Sequence, residues 1–251
     1  MSNSKYFFKP HIGKNHNGRL ILLATTGCCH SDCPHYHQCT AGDQEDWFDC
    51  LYPDKDKDGQ NVPLSNTVSN MVDKFINDTF DGEKRYKTFT CLTNAISMAL
   101  GGNKLQRWNH DDIRKIWDHF ICTELCQHFI GCTPDKRYAD RNSVETKYED
   151  FGKSNSFDKI LSLLEELKRN GIDISRIMIL GSPAFRYFKD CCEKEKIKFL
   201  PVDGKDGYWH ILYLFGQQID ILYTWHPSYS RYYDRKRGVS QLIRELMKFF
   251  A

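Results

Sequence analysis

The sequence predicts an α/β fold, a three-layer α/β/α sandwich around a central, mainly parallel sheet of about four to five strands. Two observations indicate this fold. The apolar runs at 19–24 and 177–181 are continuous rather than alternating, which is typical of strands buried on both faces of a parallel sheet. Apolar runs of this kind also alternate along the chain with amphipathic helical segments, as they do in domains with a parallel sheet.

Helical segments are identified by apolar residues three or four apart and by capping residues at their ends. Gly101 and Gly102 end one helix, Ser156 begins another, and Asn170 with Gly171 ends it. The predicted helices are 66–76, 89–100, 111–121, 156–169, 182–192 and 239–250. The predicted strands are 19–24, 177–181, 196–200, 208–214 and 219–223. The polar stretches 27–65 and 132–153 are predicted to be loops.

The composition is that of an ordinary globular protein. The 251 residues are 40% hydrophobic and 27% charged, and the formal net charge is +2. This charge excludes a histone-like polycation, so a nucleic-acid surface would be a local basic patch. The chain shows no internal repeat, long linker or second core, which predicts a single domain over 1–251. It has no apolar run of membrane-spanning length, and residues 1–10 lack the apolar core of a signal peptide. We therefore expect a cytoplasmic protein with no membrane partner.

The chain contains 11 Cys, which we expect to be reduced thiols in a protein without an export signal. The stretch from Cys28 to Cys39 differs from the rest because seven Cys or His side chains fall within twelve residues. Thiolate and imidazole groups are the ligands that zinc prefers. The spacing has no C-x2-C pair, so two interpretations stay open: a structural zinc site, or a loop of reduced Cys and polar His. No other cofactor is expected.

Three segments are expected to meet at one edge of the sheet, because ligands of parallel sheets bind beyond the carboxyl ends of the strands. They are Thr25-Thr26-Gly27-Cys28 after the first strand, Thr123-Glu124-Leu125 at the end of the segment that contains Trp117, and His226-Pro227-Ser228 after the last strand. Pro227 fixes its own φ and favours an extended His226, so the imidazole is held at the end of the strand. The basic residues that follow are Arg231, Arg235, Lys236 and Arg237. This arrangement is typical of a site for a polyanion, although a solvated surface turn also fits it.

The order of these segments resembles the uracil-DNA glycosylase superfamily, in particular its bacterial uracil-DNA-glycosylase-like branch. The resemblance spans most of the chain and is carried by residues 8–15, 18–23, 99–102, 116–120, 177–181 and 226–228. It implies a uracil-DNA glycosylase-like sandwich. It also implies an enzyme that flips a nucleotide out of double-stranded DNA and hydrolyses its N-glycosidic bond.

The resemblance further implies roles for individual residues. His226 would donate to the departing base. The first motif, with Thr25, Thr26 and Gly27, would contact the base and position water. An aromatic residue would stack on the base, and the candidates are Phe48, Trp47 and Tyr36. The DNA backbone and minor groove would be held by Ser228, Tyr229, Ser230, Arg231, Arg235, Lys236 and Arg237.

Two positions depart from the family pattern. The first motif contains no acid or amide to activate water; Asp32 and Asp118 are substitutes for that role, although surface or capping roles also fit both. Glu124 stands where the family commonly has Asn. An Asn offers uracil both a donor and an acceptor, whereas an ionised Glu only accepts and therefore suits the exocyclic amino group of cytosine. On a strand, Glu124 would share a face with Phe120 and Cys122, and the alternative is a Glu that faces solvent at a helix end.

The predicted function is a DNA glycosylase that excises a modified cytosine-type base, such as a hydroxymethylated or glucosylated one, and leaves an abasic site. Unmodified cytosine is an unsuitable target because the enzyme would attack its own genome. The resemblance implies a role in repair or in anti-phage defence. The alternatives are a uracil-DNA glycosylase in base-excision repair and a catalytically inactive member of the fold that binds nucleic acid. The expected partner is double-stranded DNA, and the expected state is a monomer.

Overall fold

The computed structural model describes residues 10–23, 28–30, 87–102, 109–125, 130–132, 151–152, 155–202, 208–224, 226–227 and 238–251. Its strands are β1 (His11–Ile12), β2 (Arg19–Leu23), β3 (Cys28–His30), β4 (Ile121–Glu124), β5 (Ile130–Cys132), β6 (Arg176–Leu180), β7 (Phe199–Pro201), β8 (Trp209–Leu214) and β9 (Gln217–Thr224). Its helices are α1 (Lys87–Ala99), α2 (His110–Trp117), α3 (Ser156–Arg169), α4 (Ser182–Lys194) and α5 (Gly238–Phe250). None of these helices is long and apolar enough to cross a lipid bilayer.

A mixed sheet of seven strands lies at the centre of the fold, in the order β1-β4-β2-β6-β9-β8-β7. The four inner strands, β4, β2, β6 and β9, are parallel to one another. The outer pairs β1–β4, β9–β8 and β8–β7 are antiparallel. β3 and β5 form a separate parallel pair. The carboxyl ends of the four inner strands therefore share one edge of the sheet, which we call the carboxyl edge.

Alternate residues of the inner strands pack into two cores, one on each face of the sheet. Leu20 and Leu22 of β2 lie in a core with α3 and α4. Ile21 and Leu23 lie in the opposite core with α1, α2 and α5. The continuous apolar run of β2 is explained by this double burial, because both faces of the strand are covered by helices. We call the two sides the α3/α4 face and the α1/α2/α5 face.

Local signals set the ends of the helices. The Asn109 side chain accepts from the backbone N–H of Asp112 at 2.8 Å and so caps α2. Asn155, with φ of 48°, precedes α3, and the predicted cap Ser156 is instead the first helical residue. Gly181 has φ of 114°, a value that glycine adopts readily, and it allows β6 to pass directly into α4.

The α/β class is confirmed, and the sheet has seven strands rather than four to five. The predicted helix to residue 121 is wrong, because α2 ends at Trp117 and Ile121–Glu124 is a strand. The strand alternative wins because this segment pairs in parallel with β2 over four residues. The predicted loop 132–153 is also wrong at its ends, since Cys132 closes β5 and Phe151 is fully buried in the core. The predicted helix 66–76 lies outside the described residues.

Candidate active site at the carboxyl edge

The last residues of the four parallel strands form one row across the sheet. Leu23 of β2 is in register with Glu124 of β4 on one side and with Leu180 of β6 on the other. Leu180 is in turn in register with Thr224 of β9. Neighbouring strands lie about 4.8 Å apart, so the backbones at Glu124 and Thr224 are separated by about 14 Å.

Glu124 and Thr224 face the same side of the sheet. Cys122 and Leu222 lie in the core of the α1/α2/α5 face, and side chains two residues apart on a strand point the same way. Glu124 is half-buried. Burial raises the pKa of the Cys122 thiol, and the charge of Glu124 raises it further, as expected for two acidic groups on one face. The row therefore has a carboxylate at one end, a hydroxyl at the other, and two leucines between them.

The end of β9 brings Thr224 and two further residues, His226 and Pro227, to this edge. Thr224 is fully buried, and its carbonyl accepts from the backbone N–H of Gly181 at 2.8 Å. Within the described part of the chain its Oγ1 has no hydrogen-bond partner. His226 is half-buried with its Nε2 shielded from solvent, and Pro227 is buried. The predicted corner is thus packed against the protein rather than extended into solvent.

The topology of the sheet favours ligand binding at this edge. β4, which follows β2 in this sheet along the chain, lies on one side of β2. β6, which follows β4, lies on the other side of β2. In α/β sheets, such a reversal of direction opens a crevice outside the carboxyl ends of the two strands at the reversal, here β2 and β6. Ligands of these sheets bind in that crevice. The helix α4 starts at this point, immediately after Gly181.

Aromatic side chains line the same edge on the α3/α4 face. The Tyr223 ring lies between those of Phe185, at 4.6 Å, and Tyr208, at 5.6 Å, with both pairs inclined by 22°. Burial raises the pKa of Tyr223, and a hydrogen bond with Ser182 partly opposes the shift. These side chains tie the end of β9 to the first turn of α4 and so hold the strand that leads to His226.

Of the predicted site residues, Glu124, His226 and Asp118 are described, and the first two lie at the carboxyl edge. The other candidates lie outside the described residues: Thr25, Thr26, Gly27, Asp32, Tyr36, Trp47, Phe48, Ser228, Tyr229, Ser230, Arg231, Arg235, Lys236 and Arg237. Thr25, Thr26 and Gly27 follow β2 after one intervening residue, Ala24, and Ser228 follows Pro227.

Asp118, a candidate for positioning water, lies at the opposite edge. It follows α2 as its C-cap, and its backbone carbonyl accepts from the N–H of Asn15 at 2.7 Å. Its carboxylate is 3.4 Å from the backbone N–H of Lys14. Since β4 runs from this point towards Glu124, the length of the strand separates Asp118 from His226. The structure gives Asp118 a capping role.

The Cys-rich stretch is described at its first three residues only. β3 pairs in parallel with β5, which sets His30 opposite Cys132. Residues 31–39 lie outside the described part of the chain. Among the residues that are described, no group of three or more Cys, His, Asp or Glu is placed to hold a metal ion.

Thr224 and the pair Tyr208 and Tyr223 are site residues that the sequence did not single out. The sequence shows that Thr224 ends an apolar strand two residues before His226, but it does not show that the hydroxyl lacks a partner among the described residues. No family model, curated protein or solved structure matches this chain. Its chemistry has to be inferred from the groups gathered at the carboxyl edge.

Proposed function

We propose that the protein is a DNA glycosylase with a uracil-DNA glycosylase-like sandwich fold. It would flip a modified cytosine-type base out of double-stranded DNA, hydrolyse the N-glycosidic bond and leave an abasic site. The observation that carries the proposal is the register across the four parallel strands. It sets Glu124 and the end of β9, which leads to His226, at the same edge and on opposite sides of the crevice.

The separation of these groups suits a single pyrimidine. The backbones at the two ends of the row are about 14 Å apart, which leaves a length for one flat base and for the groups that contact it on each side. A flipped cytosine would present its N4 amino group to Glu124 and its O2 to His226. Glu124 would accept from the amino group, which is the pairing expected between a carboxylate and cytosine.

The bond cleavage needs the base to leave with the electron pair of the C1′–N1 bond. A hydrogen bond from His226 to O2 would stabilise the negative charge that develops on the base. The oxygen of a water molecule forms the new bond to C1′, and its proton balances the charge of the released base. Thr26, which follows β2 in the chain, is proposed to orient this water. Ser228 and the basic residues after it are proposed to hold the DNA phosphates.

The test is a panel of duplexes that carry uracil, cytosine, 5-hydroxymethylcytosine or glucosylated 5-hydroxymethylcytosine. We expect alkali-sensitive abasic sites from a modified cytosine, and little product from the unmodified base. Robust release of uracil alone would favour a uracil-DNA glycosylase. DNA binding without product on any duplex would favour an inactive binding protein.

Glu124→Gln tests which base is recognised. A Gln offers a donor as well as an acceptor, so excision of the cytosine-type base should fall about tenfold to a hundredfold while any activity on uracil rises. Asp118→Asn, at the opposite edge, is the matched control and should excise at the wild-type rate. Equal rates for Glu124→Gln and wild type on the preferred base would contradict the role of Glu124.

The proposed reaction requires no cofactor, and a structural zinc at the stretch from Cys28 to Cys39 is a separate proposal. The pairing of β3 with β5 favours it, because the backbone register brings Cys132 level with His30. Elemental analysis of the purified protein should find about one zinc ion per chain, and removal by a chelator should lower the melting temperature. Protein that is folded and free of zinc after purification without chelators would contradict it.

A further inference from the structure

The hydroxyl of Thr224 occupies an unfavourable environment. Its side chain is 0% exposed, and Oγ1 has no hydrogen-bond partner among the described residues. Buried polar groups are almost always paired, because an unmade hydrogen bond in the interior leaves the cost of removing the group from water uncompensated. A hydroxyl at this position therefore costs the folded protein stability.

Packing does not explain the hydroxyl. Leu180 is beside Thr224 in the sheet and Leu222 precedes it on the same face, and both belong to the apolar core. Valine has the same shape as threonine and would fill the position without a buried polar atom. The hydroxyl of Thr93 on α1 shows the usual situation, since its Oγ1 accepts from the indole Nε1 of Trp117 at 3.0 Å.

The location of Thr224 suggests what the hydroxyl is for. It ends β9 at the carboxyl edge, on the same face as Glu124 and two residues before His226. A hydroxyl can donate one hydrogen bond and accept others, so it can serve a neutral carbonyl and also the charge that develops on it. At the His226 side of the crevice, the atom of a bound pyrimidine that needs a donor is O2.

We propose that Thr224 is a substrate contact whose Oγ1–H donates to O2 of the flipped pyrimidine. This inference rests on the proposed glycosylase function and extends it. When the C1′–N1 bond breaks, its electron pair passes to the base and O2 carries part of the charge. The water oxygen forms the new bond to C1′, and the proton it loses neutralises the released base. The hydrogen bond from Thr224 strengthens as the charge on O2 grows, so it accelerates the cleavage.

Thr224→Val separates this role from a structural one. Removal of an unpaired buried hydroxyl should leave the melting temperature at or above the wild-type value, while the single-turnover rate of base release falls about tenfold to a hundredfold. Thr224→Ser keeps the hydroxyl and should restore most of the rate. Thr93→Val is the matched control, since it breaks a formed hydrogen bond and should lower the melting temperature without changing the rate of the folded protein.

A Thr224→Val variant that releases base at the wild-type rate, or that loses rate and stability together, overturns the inference and leaves the glycosylase function standing. If the wild type releases no base from any duplex, the proposed function fails, and the contact is tested by binding of free bases. Millimolar cytosine, 5-hydroxymethylcytosine or uracil should then raise the melting temperature of the wild type but not of Thr224→Val. An equal shift in both proteins, or no shift in either, overturns the contact as well.

Discussion

The two edges of the parallel sheet use their polar side chains differently. At the amino edge, Arg19 donates to the carbonyl of Phe250 at 2.7 Å, and Arg176 donates to those of Lys248 and Phe249 at 3.1 Å. These are carbonyls of the last turn of α5, which have no partners within a helix and carry its negative partial charge. Arg176 also lies 3.8 Å from Asp220. The charges at this edge hold the end of a helix against the sheet.

The amino edge also carries a cleft of about 350 Å³, lined by Asn17, Arg19, Ser175, Arg176, Gln218, Asp220 and Ala251. Its guanidinium groups are already engaged by α5 and Asp220, so we assign the cleft no ligand. At the carboxyl edge, by contrast, the hydroxyl of Thr224 has no hydrogen-bond partner among the described residues. Polar groups satisfied by the protein stabilise the fold, whereas a buried hydroxyl left unsatisfied costs stability, and a ligand contact would account for its presence.

His226→Ala should give the largest effect at the carboxyl edge. Loss of a donor to the departing base should lower the single-turnover rate about a hundredfold to a thousandfold. The affinity for duplex DNA should change little, because phosphate contacts dominate it. Rates come from quenched-flow or manual single-turnover assays, and affinities from fluorescence anisotropy.

His119→Ala, in the turn between α2 and β4, is the control. Wild-type rates in His226→Ala would break the comparison, since the carboxyl edge would then hold no catalytic group at this position.

Arg176→Met should have the opposite signature at the amino edge. Methionine keeps part of the apolar stem but loses the hydrogen bonds to α5 and the ion pair with Asp220. We expect the free energy of unfolding to fall by about 3 kcal/mol, because hydrogen bonds to a charged group are the stronger ones. Urea denaturation measures the change. Arg186→Met is the control, since the ion pair of Arg186 with Asp190 at 4.0 Å is exposed and contributes little. If Arg176→Met lowers the rate of base release without lowering stability, Arg176 at the amino edge takes part in catalysis and the prediction is wrong.

Much of the parallel core could be predicted because double burial leaves a direct trace in the sequence. β2, β6 and β9 are continuous or nearly continuous apolar runs, and their helical neighbours have a clear apolar stripe. β1 could not be predicted, since two residues carry no periodicity. β1 depends on Gly13, where a Cβ would overlap the carbonyl oxygen of Trp117. That contact comes from a segment more than a hundred residues away in the chain and is visible only in the fold.

The candidate site was predictable in its segments but not in its geometry. Glu124 fitted either a helix or a strand, and only the register with Leu23 decides which face it occupies. Thr224 could not be singled out from the sequence, because its importance comes from the absence of a partner within the described residues. A threonine at the end of a strand is common in protein sequences, and it indicates a site only when its neighbours in the structure are known.

The smallest expected effect concerns His11, a buried polar group that belongs to the fold. Its Nε2 lies 2.6 Å from the carbonyl oxygen of Trp117. Because a carbonyl can only accept a hydrogen bond, Nε2 carries the proton and Nδ1 is unprotonated. Burial lowers the pKa of His11 to about 4. The hydrogen bond to Trp117 and the charge of Asp118 raise this pKa, but by less than burial lowers it. In the unfolded chain the pKa is about 6.5, so the unfolded state binds the proton first as the pH falls. The stability that neutral His11 contributes is therefore present above pH 6.5 and is lost between about pH 6.5 and 4.

From pH 7 to pH 5 this linkage should lower the free energy of unfolding by about 2 kcal/mol. His11→Gln removes the titrating group and keeps an amide donor within reach of Trp117, so its stability should decline less over the same range. Urea denaturation of both proteins at several pH values measures the difference. Because His11 stabilises the fold and takes no part in the chemistry, the rate of base release by folded protein should be the same in the two proteins at each pH. Equal pH slopes would mean that His11 does not control acid stability. A difference in the rate of base release would show that His11 on β1 affects the chemistry as well as the stability of the fold.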